Sequence, residues 1–512
     1  MLGALVDNTD VAALIEAELV EQVRFTPRAE YAFCHPLIRT VAYESQLKSD
    51  RAQLHRRLAG AIEARASADE NAALIAEHLE AAGDLHGAFG WHMRAGTWLT
   101  FRDIAAALTS WRRARQVADR LPEDDPDRMS MRIDSRTLLC GMAFRLGGSG
   151  AETGFEELRE LCTAAGDQRS LAIGMSGLVI SQNMKAHRRE ASRLATELVG
   201  LVESIGDPTL TIALLHTAMV AKYETTEMAE ILRLAQRVID LAGGDLTEGS
   251  LMIESPFAIA IAMRGLARWC LGIRGWKGDF QQAIATARAS LDPAMLAGVM
   301  WFVYVIAIPY GVLLPDAAAL RDTAEMLAIA KQSGDDLALD LARTTRGVTL
   351  VAHDVPERQT GLDLLAMVRQ RCVHETFALT VLPVIDSHIA REKARLGDVD
   401  SAIELARTVV DDLFDSGGCI WSPLATTVLV EALLQRGGNA DLRDAQVAID
   451  RLAAMPTDPG FVLNEVWLLR LRALLARALG DEMAYRDFRD RYRAMSTSLG
   501  FEGQMAWAAA MP

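Results

Sequence analysis

A short interruption built from Gly, Asp or Pro returns along almost the whole of this 512-residue chain. It falls at Gly83-Asp84, Asp125-Pro126, Gly166-Asp167, Gly206-Asp207, Gly244-Asp245, Asp292-Pro293, Gly334-Asp335, His374-Glu375, Gly417-Gly418, Asp458-Pro459 and Leu499-Gly500, at spacings of 38 to 48 residues. A period near 41 signals a repeat array, in which each unit covers its neighbour and no single core limits the length. Glycine just past a helix end permits a left-handed cap, and aspartate caps the helix that follows. Each break therefore closes one unit and opens the next.

Between the breaks the sequence reads as helices, with a second turn expected inside some units at Gly278-Asp279 and Gly397-Asp398, each followed by alanine four residues after the aspartate. After the second of these, Ala402, Leu405, Ala406, Val409, Val410 and Leu413 share one helical face. Two such helices make an αα-hairpin, and hairpins that cannot bury their faces alone must stack. The fold class expected is all-α, an α-solenoid of helical hairpins of roughly 41 residues. The Gly-Asp-x-x-x-Ala turn resembles that of a tetratricopeptide repeat (TPR), although the period is longer and no Trp-x-x-Leu-Gly series accompanies it.

The N-terminus differs. A helix is expected from an Asp10 cap through Gln22, then two β-like runs, 23–26 and 31–33, then a helix opening at Pro36, where a missing N–H costs nothing. Leu37, Ile38, Val41 and Ala42 share a face of it, and a further helix follows over 49–66. Residues 1–68 thus read as a small α/β module and 69–512 as the helical repeat domain.

The formal charge of −15 repels nucleic acid and anionic membrane, so neither is expected as a partner. Basic runs such as 112–115 read as solvated helix faces. Six cysteines without a CxxC pair or a ligand-spaced histidine point to reduced thiols, no metal site and a cytoplasmic location. Residues 294–315 carry no charge and are long enough to span a bilayer, but Pro309 and Gly311 interrupt them, and a fully buried repeat helix is the expectation. Met300, Trp301, Phe302 and Tyr304 within it read as core or as the wall of a ligand site. His86 and His92 stand six residues apart, which is not a one-face ligand spacing. No Gly-Lys phosphate loop, His-Glu-x-x-His helix, Gly-x-Ser-x-Gly elbow or Gly-x-Gly-x-x-Gly turn is present, and no catalytic residue is assigned.

Three blocks near the N-terminus carry a more specific signal: Phe33-x-His35-x-Leu37-x-Arg39-x-x-Ala42-Tyr43, then Leu54-His55-x-x-Leu58-Ala59, then Ala76-Glu77-His78-Leu79-x-x-Ala82-Gly83-Asp84. In order and spacing they resemble the winged-helix end and first helical repeats of STAND (AAA-like) signalling ATPases, most like bacterial class III adenylyl cyclase–ATPase fusions and, second, large LuxR-type regulators. The ending Ser498-Leu499-Gly500-Phe501-Glu502-Gly503, with Trp507-Ala508, is similar to that of the cyclase fusions, and the resemblance implies that no DNA-reading module is expected after it.

The resemblance implies that 1–68 is a partial winged helix and that the chain is a non-catalytic regulatory or sensor region. It would bind a protein or small-molecule ligand in the solenoid groove and bias ATPase or cyclase domains lying upstream, in cis or in trans. It also implies nucleotide sensing for His35, with ATP or ADP held only through such an upstream domain and no cofactor in this chain itself. One alternative is the C-terminal part of an adenylyl cyclase; a second is a free-standing TPR-like interaction scaffold.

Overall fold

The computed structural model describes residues 11–24, 29–65, 67–145, 154–251, 253–289, 292–353 and 357–512. Among them lie 25 α-helices and one two-stranded antiparallel sheet, so the fold is all-α and TPR-like. Within each compact unit most consecutive helices pack against each other, as stacked hairpins require. Two compact units are defined, Met1–Thr100 with Ile104–Leu139, and Phe101–Asp103 with Cys140–Pro512.

In the first unit the expected N-terminal helix is shorter than its sequence suggests. It runs Val11–Glu16, Glu18 takes a positive φ, and strand Val20–Arg24 follows, pairing with Glu30–Phe33. The anticipated Asp10 cap and residues 25–28, which hold the end of the first β-like run, lie outside the described residues. The next helix, Pro36–Glu44, opens with proline as expected. Beyond it, helices Lys48–Glu63, Ala72–Ala81, Leu85–Leu99 and Ile104–Asp119 stack in sequence. Gly96 lets the buried Trp111 ring lie on the helix backbone, since a Cβ there would stand 2.2 Å from its Nε1.

The second unit holds most of the repeats, and its breaks follow the expected chemistry. Gly166, Gly206, Gly334 and Gly417 close helices in the left-handed conformation, and the Asp167, Asp207 and Asp335 carboxylates accept from the N–H groups of Ser170, Leu210 and Ala338. The expected turn at Gly278-Asp279 is absent. Both residues lie within helix Trp276–Arg288, which starts after Gly275 at φ 100°, and buried Asp279 accepts from Arg264 and Arg268 at 2.7 Å each. Its charge is engaged in an inter-helix ion pair, so it caps nothing.

The stacked hairpins of this unit coil until they meet themselves. Hydrogen bonds recur between residues 225 to 229 apart: Arg188 to Ser416, Arg189 to the Phe414 carbonyl, the Ala229 N–H to Asp458, and Lys277 to Glu502. One turn of the coil thus takes between about five and six hairpins. Its interior is filled. The uncharged segment is not one long helix: helix Pro293–Met300 widens into a π-helical turn over Trp301–Val305 and then breaks, because Pro309 has no N–H to offer and its ring opposes the carbonyl four residues back. Residues 299–312 are buried throughout. Among the described residues no helix is long and apolar enough to cross a membrane.

The C-terminal helices seal this segment. Gln504 donates to the Tyr310 carbonyl at 2.7 Å, the Gln504 N–H donates to the Gly311 carbonyl at 2.9 Å, and the Tyr310 hydroxyl donates to the Ile420 carbonyl. Trp269, Tyr310, Trp467 and Phe501 pack ring to ring at centroid distances of 5.9 to 6.4 Å. Gly311 sits at φ 65°, and a Cβ on it would stand 2.7 Å from the Trp507 ring. We therefore expect Gly311→Ala to cost about 2–4 kcal/mol in denaturant unfolding. Gly206→Ala, at a similar φ but facing open space, should cost about 1 kcal/mol. Equal costs would mean that the Trp507 contact contributes nothing.

Candidate functional site

A cavity of about 120 Å³ lies inside the second unit, walled chiefly by apolar side chains. Helices Gln168–Met184, Pro208–Glu224, Pro256–Cys270, Pro293–Met300 and Asp336–Ala352 all contribute, together with Phe144-Arg145 and the turn at 378–381. Of the aromatic and Met residues singled out in the sequence, Trp301 and Phe302 line this chamber. Tyr304 lies elsewhere, donating its hydroxyl to Asp322 at 2.7 Å, and Met300 is core. The π-helical turn places two successive bulky residues, Trp301 and Phe302, on the chamber wall.

The polar members of the wall are few and deeply buried. Arg145 is 3 % exposed and donates through one nitrogen to Asp292 at 3.0 Å and to Asp335 at 2.5 Å. Both aspartates are helix caps, accepting from the N–H groups of Ala294 and Ala338, so a guanidinium and two helix N-termini share the same carboxylates. The Arg145 Nε and Nη1 have no hydrogen-bond partner. Burial raises the Asp292 carboxyl above its ordinary range, against the pull of Arg145, with Asp335 adding to the rise. Asp335, the cap of helix Asp336–Ala352, is 5 % exposed and locked to Arg145, whereas its neighbour Asp336 is exposed.

Across the chamber wall Asp340 is 2 % exposed, and neither carboxylate oxygen accepts a hydrogen bond. Its nearest cations are Arg371 at 3.4 Å and Arg343 at 3.7 Å, and burial outweighs them, pushing its carboxyl up to about 6. Asn183, 1 % exposed, has an unpartnered Oδ1. His216 donates Nδ1–H to the Ala213 carbonyl at 2.8 Å, and burial holds the imidazole neutral, with its pKa lowered to about 4. Nothing in the spacing of Asn183, His216 or Asp340 announces a shared wall, because each sits in a different repeat.

His35 is placed elsewhere, at the head of helix Pro36–Glu44, where it is exposed and its Nδ1 accepts from the Leu37 N–H at 3.2 Å. The three N-terminal blocks do converge. The Tyr43 hydroxyl meets His55 Nε2 at 2.9 Å, and His55 Nδ1 meets His78 Nδ1 at 3.0 Å. Burial lowers both imidazole pKa values, helped by Arg51 at His55 and by His55 itself at His78. One imidazole therefore donates while the other accepts. His86 and His92 are not brought together: His92 is buried near Glu80, and His86 lies on the surface beside Asp125 and Asp127 at 3.3 and 3.7 Å. That surface trio is the one group of metal-ligand geometry among the described residues.

No family model matches the chain, and no curated protein matches it. Among solved structures, Rap protein complexed with competence and sporulation factor is 11 % identical over 81 % of this chain and 99 % of its own, with a TM-score of 0.41. Cut9 in the APC/C Cut9–Hcn1 hetero-tetramer is 10 % identical over 92 % and 85 %, at 0.44. A STAND protein with a tetratricopeptide repeat sensor from Pyrococcus horikoshii is 11 % identical over 99 % of this chain and 62 % of its own, at 0.35. At such values the class rests on the helix pairing itself: this is an α-solenoid of helical hairpins.

His216 and His388, whose pKa values burial lowers to about 4 and about 3, stabilise the fold in their neutral forms. That stability is complete above the unfolded value near 6.5 and is lost as pH falls toward the folded values. At His216 the difference is about 3 kcal/mol by pH 4. Asp340 has the opposite sign: its raised pKa makes the fold lose stability as pH rises from about 4 through 6. Melting temperature should fall on acidification from about pH 6.5 to about pH 4.5, and the double variant His216→Gln/His388→Gln should flatten that slope. An unchanged slope would assign acid sensitivity to other groups.

Proposed function

We propose that this chain is a ligand-responsive, non-catalytic helical-repeat region whose chamber takes a small molecule with a largely apolar body. One observation carries the reading: a largely apolar cavity walled by five helices of successive repeats retains buried polar atoms that make no hydrogen bond, on Arg145, Asn183 and Asp340. Buried polar groups are ordinarily satisfied, and each orphan costs about 1–3 kcal/mol. A molecule in the chamber touches all these helices at once, so its binding energy adds to the cohesion of the coil by mass action. A region that tightens when occupied suits a sensor that biases an attached switch.

The volume sets the size. A cavity of about 150 Å³ lined by apolar groups accommodates benzene. Toluene at millimolar concentration should raise the melting temperature of the wild-type chain. The variant Ala294→Leu, which fills the chamber, should remove the response while keeping the helical content. Equal responses in the two proteins would place toluene elsewhere and end this reading.

A further feature supports attachment to a larger signalling protein. Leu14, Leu19, Val23, Phe33, Leu37 and Val41, all between residues 11 and 47, are large apolar side chains 37 to 66 % exposed, an unusual density for a surface. The reading that fits is a partial winged helix docking on an upstream STAND-type ATPase, with His35 sensing nucleotide there and an adenylyl cyclase as one form of the parent. The scaffold reading, in which the array docks a partner protein, shares this surface. Coding sequence upstream of Met1 carrying an in-frame phosphate-binding loop would favour the first, and a stoichiometric partner recovered on residues 11–47 the second.

A further inference from the structure

The chamber's polar wall is unevenly provided with charge, and this narrows what it holds. Arg145 is the cation among its lining residues, and two carboxylates, Asp292 and Asp335, already sit on it. His216 is neutral. Asp340 contributes a further carboxylate whose oxygens accept no hydrogen bond, and Asn183 an acceptor oxygen without a donor. Arg371 and Arg343 face Asp340 from outside the lining at 3.4 and 3.7 Å, with Asp336 3.3 Å from Arg371 and Glu375 at the same distance on its other side. Arg371 is thus largely engaged by other carboxylates, and neither cation donates to Asp340 in hydrogen-bonding geometry. Asp340 and Asn183 therefore bring to the chamber wall a carboxylate and a carbonyl oxygen that accept no hydrogen bond.

Resting on the chamber reading above, we propose that the ligand is a small hydrophobic amine whose ammonium group is held by Asp340 and the Asn183 carbonyl, with its apolar body in the aromatic chamber. Burying an ion is ordinarily prohibitive, because two groups must be stripped of water for each pair formed. Here the fold has already desolvated the carboxylate, so an incoming ammonium bears only its own share. Charge-assisted hydrogen bonds then form at two acceptors that lack donors. The aromatic residues Phe144, Tyr223, Trp301 and Phe302 complete the environment, since aromatic rings attract ammonium groups and also pack against a hydrocarbon body. An anion would meet the Asp340 carboxylate in the lining, with Arg145 already shared by Asp292 and Asp335 and with Arg371 and Arg343 outside the lining, and a purely apolar molecule would leave the acceptors unpaired.

The test compares four probes of one shape on the full chain by calorimetry and thermal shift: benzylamine, benzyl alcohol, toluene and benzoate. Benzylamine should bind at least about tenfold more tightly than benzyl alcohol, and benzoate most weakly. In Asp340→Asn, which keeps the shape and removes the charge, benzylamine and benzyl alcohol should come within about twofold of each other, while toluene binds as in wild type. Equal toluene binding by the wild type and the variant also shows that both are folded around an intact chamber. If toluene binds and benzylamine has no advantage, or if its advantage survives Asp340→Asn, the amine assignment falls and the chamber reading stands. If no probe binds, both fall.

Discussion

Within the uncharged run 294–315, residues 299–312 are kept wholly from water, and the second unit is built around that requirement. The segment contains too many large side chains for the shallow interface between two hairpins, and its own proline prevents it from forming one long helix. Burial from several sides at once is the remaining solution. The hairpins before it and after it wrap until residues more than 220 apart touch, and helix Glu502–Ala510 closes over Gly311 with backbone hydrogen bonds rather than side chains alone.

The chamber is what that packing leaves over. Its wall shows how helix caps serve a second purpose: Asp292 and Asp335 start two helices and also neutralise one buried guanidinium, so the ends of separate repeats are tied through a single side chain. Asp340 is different in kind. It caps nothing and accepts nothing, and its ion pairs are long. A carboxylate kept in that condition lowers stability, and such a cost is more readily understood at a binding site than in a core.

The period of breaks was legible because it rests on local chemistry. Glycine in the left-handed conformation and aspartate at a helix start are needed by the backbone wherever the helices pack, so Gly166-Asp167, Gly206-Asp207 and Gly334-Asp335 speak for themselves. Gly278-Asp279 shows the limit of that code, since the same dipeptide inside a helix serves a tertiary ion pair with Arg264 and Arg268. The helix expected through Gln22 failed for a similar reason: Val20 pairs with Phe33 across the sheet, and strand pairing overrides a weak helical pattern. The chamber was only half legible. Trp301 and Phe302 stand out as an aromatic cluster, but Arg145, Asn183, His216 and Asp340 are brought together by the superhelical turn, and nothing in a linear sequence records how many hairpins a turn contains.

Coiling of this kind changes how the chain must be made. A simple solenoid can add one finished unit after another as it leaves the ribosome. Here Gln504, which bonds the Tyr310 carbonyl, is translated 194 positions later. At about 5–20 residues per second the uncharged segment waits on the order of 10–40 s for its lid. During that interval a long, apolar, uncharged stretch is accessible to other nascent chains and to chaperones. The closed coil therefore ties the safe production of this unit to helix Glu502–Ala510, which is made long after the segment it covers.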